Sequence, residues 1–276
     1  MRRLLIRPGA IGDLIVSLPA LECLRTEYLE VWVPDGNAPL IRFADVVRSI
    51  GSTGLDLLGL PDIAPSAALI EKLRSFDSVI SWYGEARPEF RAAVERLALP
   101  FQFFPALPQD AKRHAVDFYL EQVGQPAGSR SPEIHCPATR ENFAVIHPFA
   151  SSPGKRWPLH KFRDVAPGLE MPVRWCAGDN EELSEAFRID NLCDLGCWLA
   201  QARVYIGNDS GISHLAAAVG TPTIVLFGPT NPAVWAPRSS RVLAPMEAVE
   251  PADVIAAVRQ IVGYKQAKPP APPPGR

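Results

Sequence analysis

Apolar and polar positions alternate along this chain in blocks that read as strand, turn and helix. Leu4-Leu5-Ile6 is the apolar centre of a strand over residues 3–7, Pro8 to Asp13 is a turn, and residues 14–26 carry apolar side chains at helical spacing. Residues 30–33 and 79–82 predict two more strands, and residues 67–75 a helix between them. Residues 113–124 predict a helix ended by Gly124. Residues 125–139 are rich in Pro, Gly and Ser and have no period, which marks a boundary.

The alternation then resumes. Residues 143–147 and 173–176 predict strands, and residues 181–187 a helical stretch. From Val204 the chain runs through an apolar strand and a polar turn, Asn208-Asp209-Ser210-Gly211. A small-residue helix stopped by Gly220 follows, and then a second apolar strand ending at Phe227-Gly228-Pro229-Thr230. Residues 251–264 predict an amphipathic helix with Pro251 in its first turn and Val254, Ile255, Val258, Ile261 and Val262 in one stripe.

This order implies an α/β protein with two Rossmann-like domains. One spans residues 1–130 and the other residues 140–264, each with a parallel sheet covered by helices. Residues 265–276, mostly Pro, Lys and Ala, read as a disordered Pro-rich tail. Ligands of such sheets sit outside the carboxyl ends of the strands, so the turns at residues 9–13 and 207–211 are both on the ligand side and face one another if the sheets share a cleft.

Bulk properties narrow the class. The chain has 276 residues, 47% hydrophobic and 21% charged, which fits a folded protein. A net charge of −2 and the absence of a long basic run give no footprint for nucleic acid. No apolar run approaches the length needed to span a bilayer. The opening MRRLLIRPGAIGD is broken by Arg7 and Pro8 and lacks a cleavage pattern, so it reads as a strand and the protein as cytoplasmic. A peripheral inner-membrane contact stays open. The five cysteines match neither a zinc ribbon nor a disulfide framework. Cys193 and Cys197, four apart, would share a helix face, and all five read as buried small apolar residues with no metal.

Four segments carry candidate chemistry. Gly9-Ala10-Ile11-Gly12-Asp13 lacks one glycine of the dinucleotide fingerprint. Its Asp13 is either a helix cap or a base. Asp209-Ser210-Gly211-Ile212-Ser213-His214 opens a helix whose free N–H groups and dipole suit a phosphate. There His214 is either structural or a ligand contact. Lys155-Arg156-Trp157 follows a strand and the loop that starts at Ser151, so its cations reach a phosphate or simply solvate a loop. Gly178-Asp179-Asn180-Glu181-Glu182 sets a carboxylate past a strand end, for a ribose diol or for the helix dipole.

Five pieces of the chain, in order, resemble the family 9 glycosyltransferases, whose best-known members are the ADP-heptose:lipopolysaccharide heptosyltransferases. They are IRPGAIGDLIVSLPAL, HPFASSPGKRWPLHKF, AGDNEE, GNDSGISHLAAAVGTPTIVLFGPT and NPAVWAP. The resemblance implies the GT-B architecture, with the acceptor mainly on the first domain and the nucleotide sugar on the second. It implies inverting transfer without a metal and without a cofactor. The partners it implies are a nucleoside-diphosphate sugar, above all ADP-heptose, and a lipopolysaccharide-core or related glycan acceptor.

By matching position Asp13 is the general base, with Gly12 beside it on the acceptor side. Lys155 is the pyrophosphate partner and Glu181 the ribose carboxylate, with Glu182 the competing alignment. Ser210 and Gly211 give N–H groups to the phosphates, and Asp209 and His214 belong to the same motif. Ser151, Arg156 and Thr230 complete the donor side. Two other readings stay open: a GT-B-type nucleotide-sugar epimerase or hydrolase, and a non-catalytic nucleotide-binding relative.

Overall fold

The computed structural model describes residues 1–108 and 112–263. Two five-stranded, all-parallel sheets follow one another along the chain. The first half comprises β1 (Arg2–Ile6), α1 (Ile11–Cys23), β2 (Tyr28–Val33), β3 (Val46–Ser49), α2 (Ala67–Arg74), β4 (Ser78–Ser81), α3 (Pro88–Arg96), β5 (Phe101–Phe103) and α4 (Ala115–Gln122). Its strand order is β3-β2-β1-β4-β5.

The second half comprises β6 (Ala144–His147), α5 (Leu159–Val165), β7 (Val173–Trp175), α6 (Leu192–Ala200), β8 (Val204–Asn208), α7 (Gly211–Ala218), β9 (Thr223–Leu226), α8 (Pro232–Trp235), β10 (Arg241–Leu243) and α9 (Pro251–Val262). Its order is β10-β9-β8-β6-β7. In each sheet the strand that leads into a glycine-containing turn is internal, β1 in one and β8 in the other. Their apolar residues are buried on both faces, as central parallel strands require.

The two halves share a core. One apolar cluster takes Leu5, Leu18 and Val31 from the first half and Val145, Leu195, Tyr205 and Leu215 from the second. Two further clusters each stay within one half. The shared cluster forms because α1 packs directly on α7. Residues 125–139 hold no helix or strand and are tied to both sides. The Ile134 N–H donates to the Ala218 carbonyl at 2.9 Å, and Arg42 donates to the His135 carbonyl at 2.9 Å. Burial shared in this way couples the halves, so thermal unfolding is expected to show one calorimetric transition. Two separable transitions would contradict it.

Several predicted elements differ. Residues 181–187 are not helical. The Arg188 guanidinium binds the carbonyls of Glu181 and Leu183, and Phe187 forms a parallel bridge with Cys176, so the segment loops round to lie alongside the β7 exit. The first helix begins at Ile11, three residues early, because the Asp13 carboxylate accepts from the Ala10 N–H and closes the first turn. The last helix ends at Val262, with Gly263 left-handed at φ 66°. Residue 264 and the tail expected at residues 265–276 lie outside the described residues. Of the cysteines only Cys176 is buried, the other four being half-exposed. No helix among the described residues is long and apolar enough to cross a membrane.

Candidate active site

The site begins where β1 gives way to α1. Gly9 sits at φ +110°, and a Cβ there would lie 2.8 Å from the Asp13 Cβ, so the turn admits only glycine. The turn places Asp13 at the third position of α1, where its Oδ2 accepts from the Ala10 N–H at 2.9 Å. Arg7, 1% exposed, pins the same turn from beneath. Its guanidinium donates to the Pro8 carbonyl at 3.1 Å, the Asp13 carbonyl at 2.8 Å, Ser17 Oγ at 2.9 Å and the Tyr119 hydroxyl at 2.9 Å. These contacts satisfy a buried cation that would otherwise be costly.

Opposite it, β8 gives way to α7 at Asn208-Asp209-Ser210. Ser210 caps α7, its Oγ accepting from the Ser213 N–H. The first-turn N–H groups of Gly211 and Ile212 have no intrahelical acceptor and carry the positive end of the helix dipole. The N-termini of α1 and α7 meet through glycines. A Cβ on Gly211 would come within 2.8 Å of Ile11 Cβ and 3.1 Å of the Gly12 nitrogen, and one on Gly12 within 3.2 Å of His214 Cδ2.

Lys155 enters from the loop after β6. Its Nζ donates to Asp209 Oδ2 at 2.8 Å, and Thr230 Oγ1 donates to the same oxygen at 2.6 Å. Asp209 therefore anchors the lysine rather than offering a free carboxylate. Asn208, fully buried, fastens both ends of that loop. It accepts from the Trp157 N–H at 3.0 Å and donates to the Pro148 carbonyl at 2.9 Å. Trp157 packs edge-to-face on Phe162 in the second core.

Two adjoining cavities result. A smaller one of about 310 Å³ is lined by Gly12, Asp13, Ser151, Lys155, Asp209, Ser210, Gly211, His214 and Thr230, with Leu107 and Trp235 at its edge. A larger one of about 740 Å³ shares Ala10, Ser151, Ser210 and Gly211 with it. The larger cavity reaches Arg156 and Glu181, then an apolar wall that includes Ala177, Ile189, Leu192 and Leu195.

Glu181 Oε2 accepts from the Gly178 N–H at 2.7 Å and faces His147 Nε2 at 3.2 Å. Burial works to raise the Glu181 carboxyl. The His147 and Gly178 hydrogen bonds and the charges of His147 and Arg156 outweigh it and hold it below the usual carboxylate value. Glu182 instead borders a surface groove with Arg163 and Arg188. The geometry thus separates the two acids that the sequence left in competition.

His214 lines the smaller cavity with 6% exposure. Burial pushes its pKa down to about 4, His114 and Lys155 adding to the push while Asp209 and Asp13 oppose it. The folded imidazole is therefore neutral at pH 7. Below 6.5 the unfolded chain takes up a proton that the folded one refuses until about pH 4. Stability is fully present above pH 6.5 and falls between pH 6.5 and 4, by on the order of 3 kcal/mol. Urea midpoints at pH 7 and 4.5 test this, since His214→Gln should flatten that part of the profile; an unchanged slope would refute it.

The structure brings every candidate site residue except Glu182 to one or both cavities. The sequence reading missed Arg7, His147, Asn208, Leu107 and Trp235. A charged residue closing an apolar strand was a signal for Arg7, whereas Leu107 follows a three-residue strand and had none.

The glycosyltransferase family 9 (heptosyltransferase) model matches residues 93–252. The lipooligosaccharide heptosyltransferase 2 of Haemophilus influenzae is 30% identical over 87% of this chain and 87% of its own length. The lipopolysaccharide heptosyltransferase 3 of Escherichia coli is 32% identical over 37% of this chain, which spans only 36% of that relative's length. Among solved structures, the E. coli ADP-heptose LPS heptosyltransferase II aligns with a TM-score of 0.74 over 95% of this chain and 98% of that one, at 17% identity. The shared fold is GT-B.

Proposed function

The chain belongs to glycosyltransferase family 9, the heptosyltransferases, and on that premise we propose that it moves heptose from ADP-heptose to a lipopolysaccharide-core acceptor, inverting the anomeric centre without a metal. One observation carries the proposal: Asp13 from the first half lines the same cavity as Lys155, Ser210 and Gly211 from the second. A base and a diphosphate cradle lining one cavity is the arrangement that direct displacement at the anomeric carbon needs.

In this reading the ADP ribose meets Glu181 and the base lies against the apolar wall formed by Ala177, Leu192 and Leu195. The diphosphate sits on the α7 N-terminus and Lys155. The acceptor hydroxyl approaches from the α1 side, and Asp13 takes its proton as the oxygen attacks the anomeric carbon. Negative charge gathers on the departing ADP, where the lysine and the helix N–H groups stabilise it in preorganised positions, the part a metal ion plays elsewhere.

Incubation with ADP-heptose and a heptose-free core acceptor tests the proposal. The acceptor should gain one heptosyl mass per ADP released, with the opposite anomeric configuration. Free sugar or an isomer formed from donor alone would favour hydrolysis or epimerisation instead. Tight ADP binding without turnover on any acceptor would favour a non-catalytic relative.

The ribose contact has its own test. Glu181→Gln should weaken ADP binding by about tenfold or more, because a carboxylate hydrogen bond is replaced by a neutral one. It should also narrow the preference for ADP over its 2′,3′-dideoxy analogue in calorimetric titrations. An unchanged preference would remove Glu181 from the ribose.

A further inference from the structure

Asn37 is a buried polar residue on the wall of the larger cavity. It lies on the short helical turn Asp35–Leu40 after β2, and only 4% of it is exposed. Its backbone N–H donates to the Pro34 carbonyl at 2.9 Å, and its Nδ2 donates to the Gly9 carbonyl at 3.1 Å. The Gly9 carbonyl can only accept, so this bond fixes which end of the amide is nitrogen. The other end, Oδ1, takes no hydrogen bond among the described residues. A buried acceptor left open in this way is costly until a ligand or a water meets it. The turn is also held in place. Leu40 and Ile41 at its end are buried in the core shared by the two halves, and the turn packs on α6.

The position of Asn37 decides which part of a nucleotide sugar it meets. Asp13, Lys155 and Asp209 line the smaller cavity and not the larger, whereas Asn37 lines the larger and not the smaller. The reacting sugar, which must face Asp13, is thereby separated from it. The helix against which its turn packs, α6, supplies Leu192 and Leu195 to the apolar wall proposed for the base. Asp179, Asn180 and Asp190 on the same cavity are exposed and set no fixed direction.

We infer that Asn37 Oδ1 accepts a hydrogen bond from the exocyclic amino group of the donor base, and so selects adenine among the purines. The inference rests on the proposed seat of the nucleoside in the larger cavity. An amide oxygen accepts from an amino group. A ring carbonyl in the same place sets two acceptors face to face and leaves both unpaired. A site built around one hydrogen bond rejects a ligand lacking the donor far more strongly than an apolar pocket rejects a missing methylene. Base choice is then made by both halves, the second giving the apolar wall and the first the polar contact.

Calorimetric titration of the full chain tests this with three ligands. They are ADP, purine riboside diphosphate, which lacks the amino group, and inosine diphosphate, which carries a carbonyl there. The wild type should bind ADP about tenfold or more tightly than either analogue, and Asn37→Ala should bring all three within about twofold of one another. The ratio is the readout because the variant also loses the Gly9 bond. A merely structural role weakens all three ligands alike and leaves the ratio at its wild-type value, and that result overturns the inference. Equal wild-type binding of ADP and purine riboside diphosphate overturns it too, and needs no variant to fold. If ADP binding depends on Glu181 while the ratio ignores Asn37, this inference falls alone. If none of the three binds, the nucleoside seat falls with it.

Discussion

Asp13→Asn is expected to slow transfer by about a hundred- to ten-thousand-fold while ADP binds as before. The substitution is chosen because Asp13 has two roles in the structure. Its Oδ2 closes the first turn of α1 on the Ala10 N–H, and the residue also lines the shared cavity. Asparagine keeps an oxygen for the Ala10 N–H and loses only the capacity to accept a proton, so its thermal midpoint should stay near that of the wild type. Asp13→Ala removes both functions and should lose about 1 kcal/mol of stability as well. Rate profiles of the two variants beside their melting curves separate base from cap. Wild-type turnover in Asp13→Asn would leave Asp13 a cap alone.

Lys155→Met is expected to weaken ADP binding by about ten- to a hundredfold, the worth of a charge-assisted hydrogen bond. Transfer should slow further, because the lysine meets charge that grows as the diphosphate departs. Stability should fall as well. Asp209 is 5% exposed and would lose its cation, leaving a buried charge that keeps the Thr230 hydroxyl, at a cost of about 3 kcal/mol. A second substitution separates these effects. Lys155→Met with Asp209→Asn should regain most of the lost stability and none of the donor affinity. If the double variant recovers ADP binding, the lysine serves the loop and not the ligand.

The parts of the fold legible in sequence are those where local and tertiary preferences agree. β1 and β8 are short apolar runs, each closed by a turn residue that only a sharp bend requires, and both were readable with the helices they feed. β3, β5 and β10 are three or four residues long and only partly buried, so neither length nor alternation marked them. Residues 181–187 had helical spacing in Leu183, Ala186 and Phe187, but the Arg188 side chain takes the carbonyls a helix would need. The spacing was real and the hydrogen bonds went elsewhere.

The candidate site shows the same division. Glycines and a carboxylate in a turn announce themselves, whereas support from distant chain does not. His147 ends β6 as an ordinary strand residue until the fold brings Glu181 to within 3.2 Å of its ring. Asn208 reads as a turn former until its amide is seen to bridge Pro148 and Trp157. Glu181 and Glu182 are neighbours of identical chemistry, and only the path of the β7 exit turns one into the cavity and the other to the surface. Contacts made across 34 to 60 residues of chain leave no local period to detect.

A crystal structure with a non-transferable ADP-heptose analogue tests the central claim most directly. The account places the diphosphate on the Ser210 and Gly211 N–H groups within reach of Lys155, and the anomeric carbon facing Asp13. A diphosphate bound in any other cavity, or a sugar directed away from α1, would contradict it.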